Sequence, residues 1–167
     1  MAVSFVISLS ASACSDPDPT PEVVQPADAY TAIVEWQIAE QEPILDDKGN
    51  AKLPVIYVVA ADGATVDAGV QAAVAASTVD DAIVRFADDV SDGFDAGLEG
   101  SPVHDDGVML AVGTLPEPSR TIDVELARFL AEDDYEQFSV EITLADTRTA
   151  GTESNPTPAE VTSVTPR

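Results

Sequence analysis

Cysteine occurs once in the chain, so no internal disulfide can brace the fold whatever the redox state of its compartment, and Cys14 needs another explanation. Histidine also occurs once, and a lone His with a lone Cys cannot supply the nitrogen and sulfur ligands of an ordinary zinc site. Aromatic residues make up only 5% of the chain, so its core has to be built from Val, Ala, Leu and Ile. No Lys or Arg precedes Lys48, and the whole chain has seven basic residues against 31 acidic ones, a formal charge of -24. Such a field repels phosphate backbones and excludes nucleic acid as a partner. It favours cations and basic surfaces, keeps the chain soluble and leads us to expect a monomer.

Long hydrophobic runs are missing as well. The stretch Ala2–Leu9 is apolar but far shorter than the roughly 20 residues that cross a bilayer. It is followed by Ser10-Ala11-Ser12-Ala13-Cys14 and then by the acidic, Pro-rich segment Ser15-Asp16-Pro17-Asp18-Pro19-Thr20-Pro21-Glu22. An apolar segment, small residues and an abrupt polar change is the order of a secretory signal. Small residues suit a peptidase that binds extended backbone, and the Cys14 sulfur is the atom that can accept a diacylglyceryl group. Ala11-Ser12-Ala13-Cys14 resembles the lipobox of bacterial lipoproteins, although Ala11 stands where that family usually has Leu. A start site further upstream would account for the missing basic residues ahead of the apolar run. The resemblance covers about the first 25 residues and implies lipid attachment at Cys14 and residence on the outer face of the cell membrane, with plain secretion as the alternative. Residues 1–13 are then the signal peptide and 14–28 an extended tether.

An apolar content of 45% is too high for a disordered chain, and residues 29–146 are expected to form one domain. Tyr30, Ala32, Val34, Trp36 and Ile38 alternate with Thr31, Glu35 and Gln37, which predicts a half-buried strand with Tyr30 and Trp36 in the core rather than on a sugar-binding face. A turn at 46–50 would join it as a hairpin to Val55–Val59, whose unbroken apolar run predicts a strand covered on both faces. Thr65 is placed to cap a helix carrying Val66, Val70, Ala73 and Val74, and Ala82–Phe86 predicts a third strand, parallel to the second through a right-handed crossover. Val108–Val112 predicts another central strand. Ile122, Leu126, Phe129 and Leu130 predict a second helix opened near Thr121, and Phe138–Leu144 a last alternating strand. From Thr147 to Arg167 the Thr/Ser/Pro-rich tail is expected to be disordered. The expected fold is therefore α+β: two helices packed on a mixed sheet of about five strands, with disordered N- and C-terminal tails. Its element order resembles a ferredoxin-like sandwich with an added strand, and folds of that kind host many functions.

Candidate chemistry gathers between the third and fourth predicted strands. Asp88, Asp89, Asp92, Asp95, Glu99, Asp105 and Asp106 fall within nineteen residues that hold no Lys or Arg. Carboxylates at this density could wrap calcium, with Asp88, Asp89, Asp92 and Asp95 as ligands, although Val90 sits where the usual calcium loop places its second carboxylate. The same stretch could instead contact a basic protein or another envelope component through His104, Asp105 and Asp106; solvated charge is the bland reading. His104 beside two carboxylates could serve as a general base, but Ser91 and Ser101 are in no nucleophile motif and no Gly-x-Ser-x-Gly exists. The chain reads as a non-enzymatic, membrane-anchored binding domain, with an envelope hydrolase or calcium-dependent protein as the alternative.

Overall fold

The structure is a computed structural model that describes residues 22–45, 48–95, 100–145 and 159–167. Helix α1 (Pro26–Glu40) leads into a short hairpin of β1 (Ile44–Leu45) and β2 (Ala51–Lys52). Then come β3 (Val55–Ala60), α2 (Ala68–Ser77), β4 (Ile83–Phe86), β5 (Val108–Val112), β6 (Thr121–Phe129), β7 (Tyr135–Leu144) and β8 (Ala159–Pro166). Six strands form one mixed sheet in the order β4-β3-β5-β6-β7-β8. Strand β3 runs parallel to both β4 and β5, and every pairing from β5 to β8 is antiparallel. The α+β class, with two helices on a mixed sheet, is as expected from sequence, with six strands in that sheet instead of about five.

Strands β3 and β5 are buried along their whole length, which explains their unbroken apolar sequences. Ile56, Val58, Val108, Leu110 and Val112 point to the face covered by α1 and α2, together with Ile33, Val34 and Val74 from the helices. Val55, Tyr57, Val59, Met109 and Ala111 point to the opposite face, where Val103, Val90 and Phe94 of the β4–β5 connection cover them. The parallel pairing of β3 with β4 through α2 is as predicted, but the helix is capped by Asp67, not Thr65. The Asp67 carboxylate accepts from the amides of Gly69 at 2.7 Å and Val70 at 3.4 Å.

Several expectations are corrected. Residues 30–38 lie inside α1, so no strand there pairs with β3. Ala29, Tyr30, Ile33, Val34 and Gln37 are buried at helical spacing, Pro26 suits the first turn, and the Asp28 carboxylate accepts from the Gln25 amide at 3.2 Å. Residues 121–129 form β6, where Ile122, Val124 and Leu126 are buried and Asp123 and Glu125 exposed, a period of two. The expected tether ends early, since Val24 is buried and donates its amide to Ser119 at 2.8 Å. The expected tail ends as β8, paired with β7 and packed on α1, because Ala159, Val161 and Val164 add to the apolar core. These exchanges also remove the ferredoxin-like order: a strand–helix–strand crossover is followed by an antiparallel run of four strands. Of the expected turn at 46–50, residues 46 and 47 lie outside the described residues, and the flanking β1 and β2 pair with each other in a minor sheet apart from the main one.

Candidate functional site

The described parts of the acidic connection, residues 87–95 and 100–107, pack through Val90, Phe94 and Val103 on the sheet face that the helices leave open. Its first part is a 3-10 turn, Val90–Gly93, opened by Asp89, whose carboxylate accepts from the Ser91 amide at 2.8 Å and hydroxyl at 2.7 Å. These bonds, the hydroxyl's first, hold the Asp89 carboxyl below the ordinary carboxylate range. Phe94 and Val103 form an antiparallel bridge, and the Asp95 amide donates to Pro102 at 3.1 Å. The return limb is stitched to the end of β6 by the Val103 amide donating to Leu130 at 3.2 Å and the Glu132 amide donating to Ser101 at 2.9 Å. Phe94 also meets Phe129 edge-on at 5.9 Å. Backbone bonds and apolar contacts thus seat the connection before any charge is considered.

A polar clasp closes it. Tyr57 of β3 and Arg85 of β4 are register partners on neighbouring strands. Arg85 donates to the Tyr57 hydroxyl at 2.7 Å and forms an ion pair with Asp105, and the Tyr57 hydroxyl donates to Asp105 at 3.1 Å. The guanidinium also lies 5.6 Å from the centre of the Tyr57 ring. Asp105 and Asp106 both adopt left-handed backbone, φ 58° and 53°, a conformation that Asp tolerates better than most side chains. That reversal brings the Asp105 carboxylate back over the sheet. The Arg85 hydrogen bond, then that of Tyr57, keeps the Asp105 carboxyl below its usual range. Beside this triad, Nδ1 of His104 pairs with Asp95, and the imidazole lies 6.2 Å from the Tyr57 ring.

The predicted residues therefore separate. Asp95 with His104 and Asp105 with Arg85 are structural pairs, Asp89 is a turn cap, and Asp88, Asp92 and Asp106 face solvent and make no ion pair among the described residues. No three of His, Cys, Asp and Glu converge as a metal site among the described residues, and Asp88, Asp89, Asp92 and Asp95 do not come together. His104 has no Ser hydroxyl as hydrogen-bond partner among those residues: Ser91 serves Asp89, and Ser101 is 2% exposed. Cys14 and Glu99 lie outside the described residues. Tyr30 is core and Trp36 packs edge-on against Phe138 at 5.7 Å, so neither forms an aromatic surface. No described helix is long and apolar enough to cross a membrane.

Tyr57 and Arg85 were not among the residues that the sequence singled out. One signal pointed to Arg85, which is the only Lys or Arg between Lys52 and Arg120. Nothing marked Tyr57, which reads as one more apolar residue of β3. Comparison with known proteins adds no constraint, since no family model, curated protein or solved structure matches the chain.

Proposed function

We propose that the chain is an exported envelope protein, tethered by a lipid on Cys14 to the outer face of the cell membrane, whose α+β domain binds another envelope component without catalysis. The contact surface in this reading is the connection from Asp88 to Asp106, and its partner is a basic protein or peptide. One observation carries the contact surface: the described parts of an acidic connection are seated on the sheet by a dedicated clasp, with Asp88, Asp92 and Asp106 left facing water. Seating a loop in advance lowers the entropy lost when a partner binds, which is how long ordered loops serve recognition. The charge of -24 adds fast, salt-sensitive attraction for a cationic surface. Anchoring is supported by Ala11-Ser12-Ala13-Cys14 followed by the Pro-rich acidic segment.

A photo-crosslinking side chain placed at Asp92, and separately at Glu160 on β8, tests the surface in cells. The expected result is an adduct with a basic envelope component from position 92 alone. Equal adducts from both positions, or none from 92, would place the contact elsewhere.

A further inference from the structure

A second site lies at the opposite end of the parallel strands. Strand β3 continues through α2 to β4 on one side, whereas its other parallel neighbour, β5, leads away to β6. Between the carboxyl ends of β3 and β5 the chain departs in two directions, and open α/β sheets bind ligands in the crevice this leaves. Here that crevice is about 180 Å³ in volume, bounded by the first turns of α1 and α2 and by the segments following β3 and β5. Its apolar wall includes Val66, Val70, Leu115 and Ala60. The polar residues around it are Tyr30, Asp62, Thr65, Asp67 and Thr114, and no described Lys or Arg lines it.

Two of these groups are poised for a ligand. Tyr30 lines the crevice, is 7% exposed, and makes no side-chain hydrogen bond among the described residues. Burial of the side chain, and after it the Asp62 charge, raises the pKa of the Tyr30 phenol, so the hydroxyl keeps its proton and Asp62 lies near enough for its field to be felt there. Asp62 is held by the Ala64 amide and the Thr114 hydroxyl, both at 3.0 Å, one to each carboxylate oxygen. A carboxylate offers about four lone-pair directions, so each oxygen retains one for a further donor. The Ala64 bond, then that of Thr114, keeps the Asp62 carboxyl below its ordinary range, so it is charged at neutral pH. Asp67, by contrast, is engaged as the cap of α2.

We infer that this crevice binds a small primary alkylamine as its ammonium ion, with the charged head between the Tyr30 hydroxyl and Asp62 and the alkyl chain along Val66, Val70 and Leu115. An ammonium brings three donors and no acceptor, matching a phenol oxygen and a carboxylate with lone pairs to spare. A carboxylate or phosphate ligand would meet Asp62 and Asp67 with no cation beside them. This site is separate from the Asp88–Asp106 surface and does not depend on the anchor.

Amide chemical shifts of the full chain, titrated with n-butylamine hydrochloride at neutral pH, provide the test. The salt is set at about 0.3 M, which screens diffuse attraction to the acidic surface. Saturable one-to-one binding is expected, with shifts confined to residues 26–31, 61–70 and 113–115. Asp62→Asn should weaken it by at least about tenfold and Tyr30→Phe by about threefold or more, since charged and neutral hydrogen bonds are lost respectively. Neutral n-butanol should not saturate. The inference is overturned if the wild-type chain does not saturate, if shifts spread over the acidic surface, or if both folded variants bind as well as wild type. Should a variant lose its fold, the n-butylamine against n-butanol comparison on the wild-type chain decides alone.

Discussion

Arg85 closes the clasp over the acidic connection, because one guanidinium reaches both the Tyr57 hydroxyl and Asp105. Replacing Arg85 with Met removes both contacts and leaves the helix-side core untouched. The expected outcome is faster amide exchange and easier proteolysis within residues 88–106 while β3, β5 and β7 keep their protection, and hydrogen exchange resolved by segment reads both. Lysine at 85 should restore only part of the protection, since a single ammonium lacks the forked geometry. Protection in the connection that is unchanged in Arg85→Met would show that backbone bonds alone hold it.

The same clasp has a pH dependence whose direction follows from Asp105. Its folded pKa is lowered, so its stabilising contribution is fully present above the unfolded value, about 3.9 for Asp, and is lost as pH falls through the folded value. Asp62 and Asp89 act in the same direction. Release of the connection in acid, below about pH 4, is the expected result of following exchange or tyrosine fluorescence on acidification. Gly107 is a further sensitive position: a Cβ there would lie 2.7 Å from the Val55 carbonyl oxygen and 3.0 Å from that of His104. Both contacts are to backbone, so Gly107→Ala should cost about 1–3 kcal/mol in urea unfolding.

At the scale of elements, two assignments exchanged places, and the residues show why. In 30–38, alternation and helical spacing are both satisfied because nearly every position is apolar or small, so periodicity cannot choose between them. The deciding signals sit upstream, in Pro26 and Asp28, inside what reads as a polar tether. In 121–129, Ile122, Leu126 and Phe129 fit a helix, but Val124 between Asp123 and Glu125 completes a two-residue alternation that burial follows. Strands β3 and β5 were legible because an apolar run of only five or six residues between turn signals suits a strand covered on both faces and is too short for an ordinary helix. Strand β8 was not, because its Thr- and Ser-rich sequence gains order from pairing with β7 and packing on α1. The acidic connection was legible as a charge run; the partners that seat it come from other strands and required the sheet order.

One substitution and one truncation test this assignment. Ala32→Pro, in the middle of α1, should cost about 3 kcal/mol or more and lower the far-ultraviolet helical signal, whereas an edge position in a strand would tolerate it better. Ending the chain before Ala159 should uncover β7 and the apolar side chains of Val140 and Ile142 that face the helices. That truncated chain is expected to lose a single cooperative unfolding transition and to aggregate, as exposed strand edges do. If it unfolds like the full chain, β8 is not an integral strand.

For the molecule as a whole, the acidic excess dominates its response to salt. The described ion pairs of Arg85, Arg128 and Arg167 are exposed or partly exposed and individually weak, whereas self-repulsion acts across a chain with a formal charge of -24. Screening both, salt should raise the melting temperature between low ionic strength and about 0.5 M NaCl, where the Debye length falls below about 5 Å. A melting temperature that falls with salt would mean that the ion pairs outweigh the repulsion.

Membrane tethering is the part of the account on which the proposed envelope role depends most. The most direct test is the intact mass of the protein recovered from the membrane and culture-medium fractions of a bacterial host. The account predicts a membrane-bound species that begins at Cys14 and carries the added mass of a diacylglyceryl group. A soluble species beginning at an unmodified Cys14, or an uncleaved chain retained inside the cell, would contradict it.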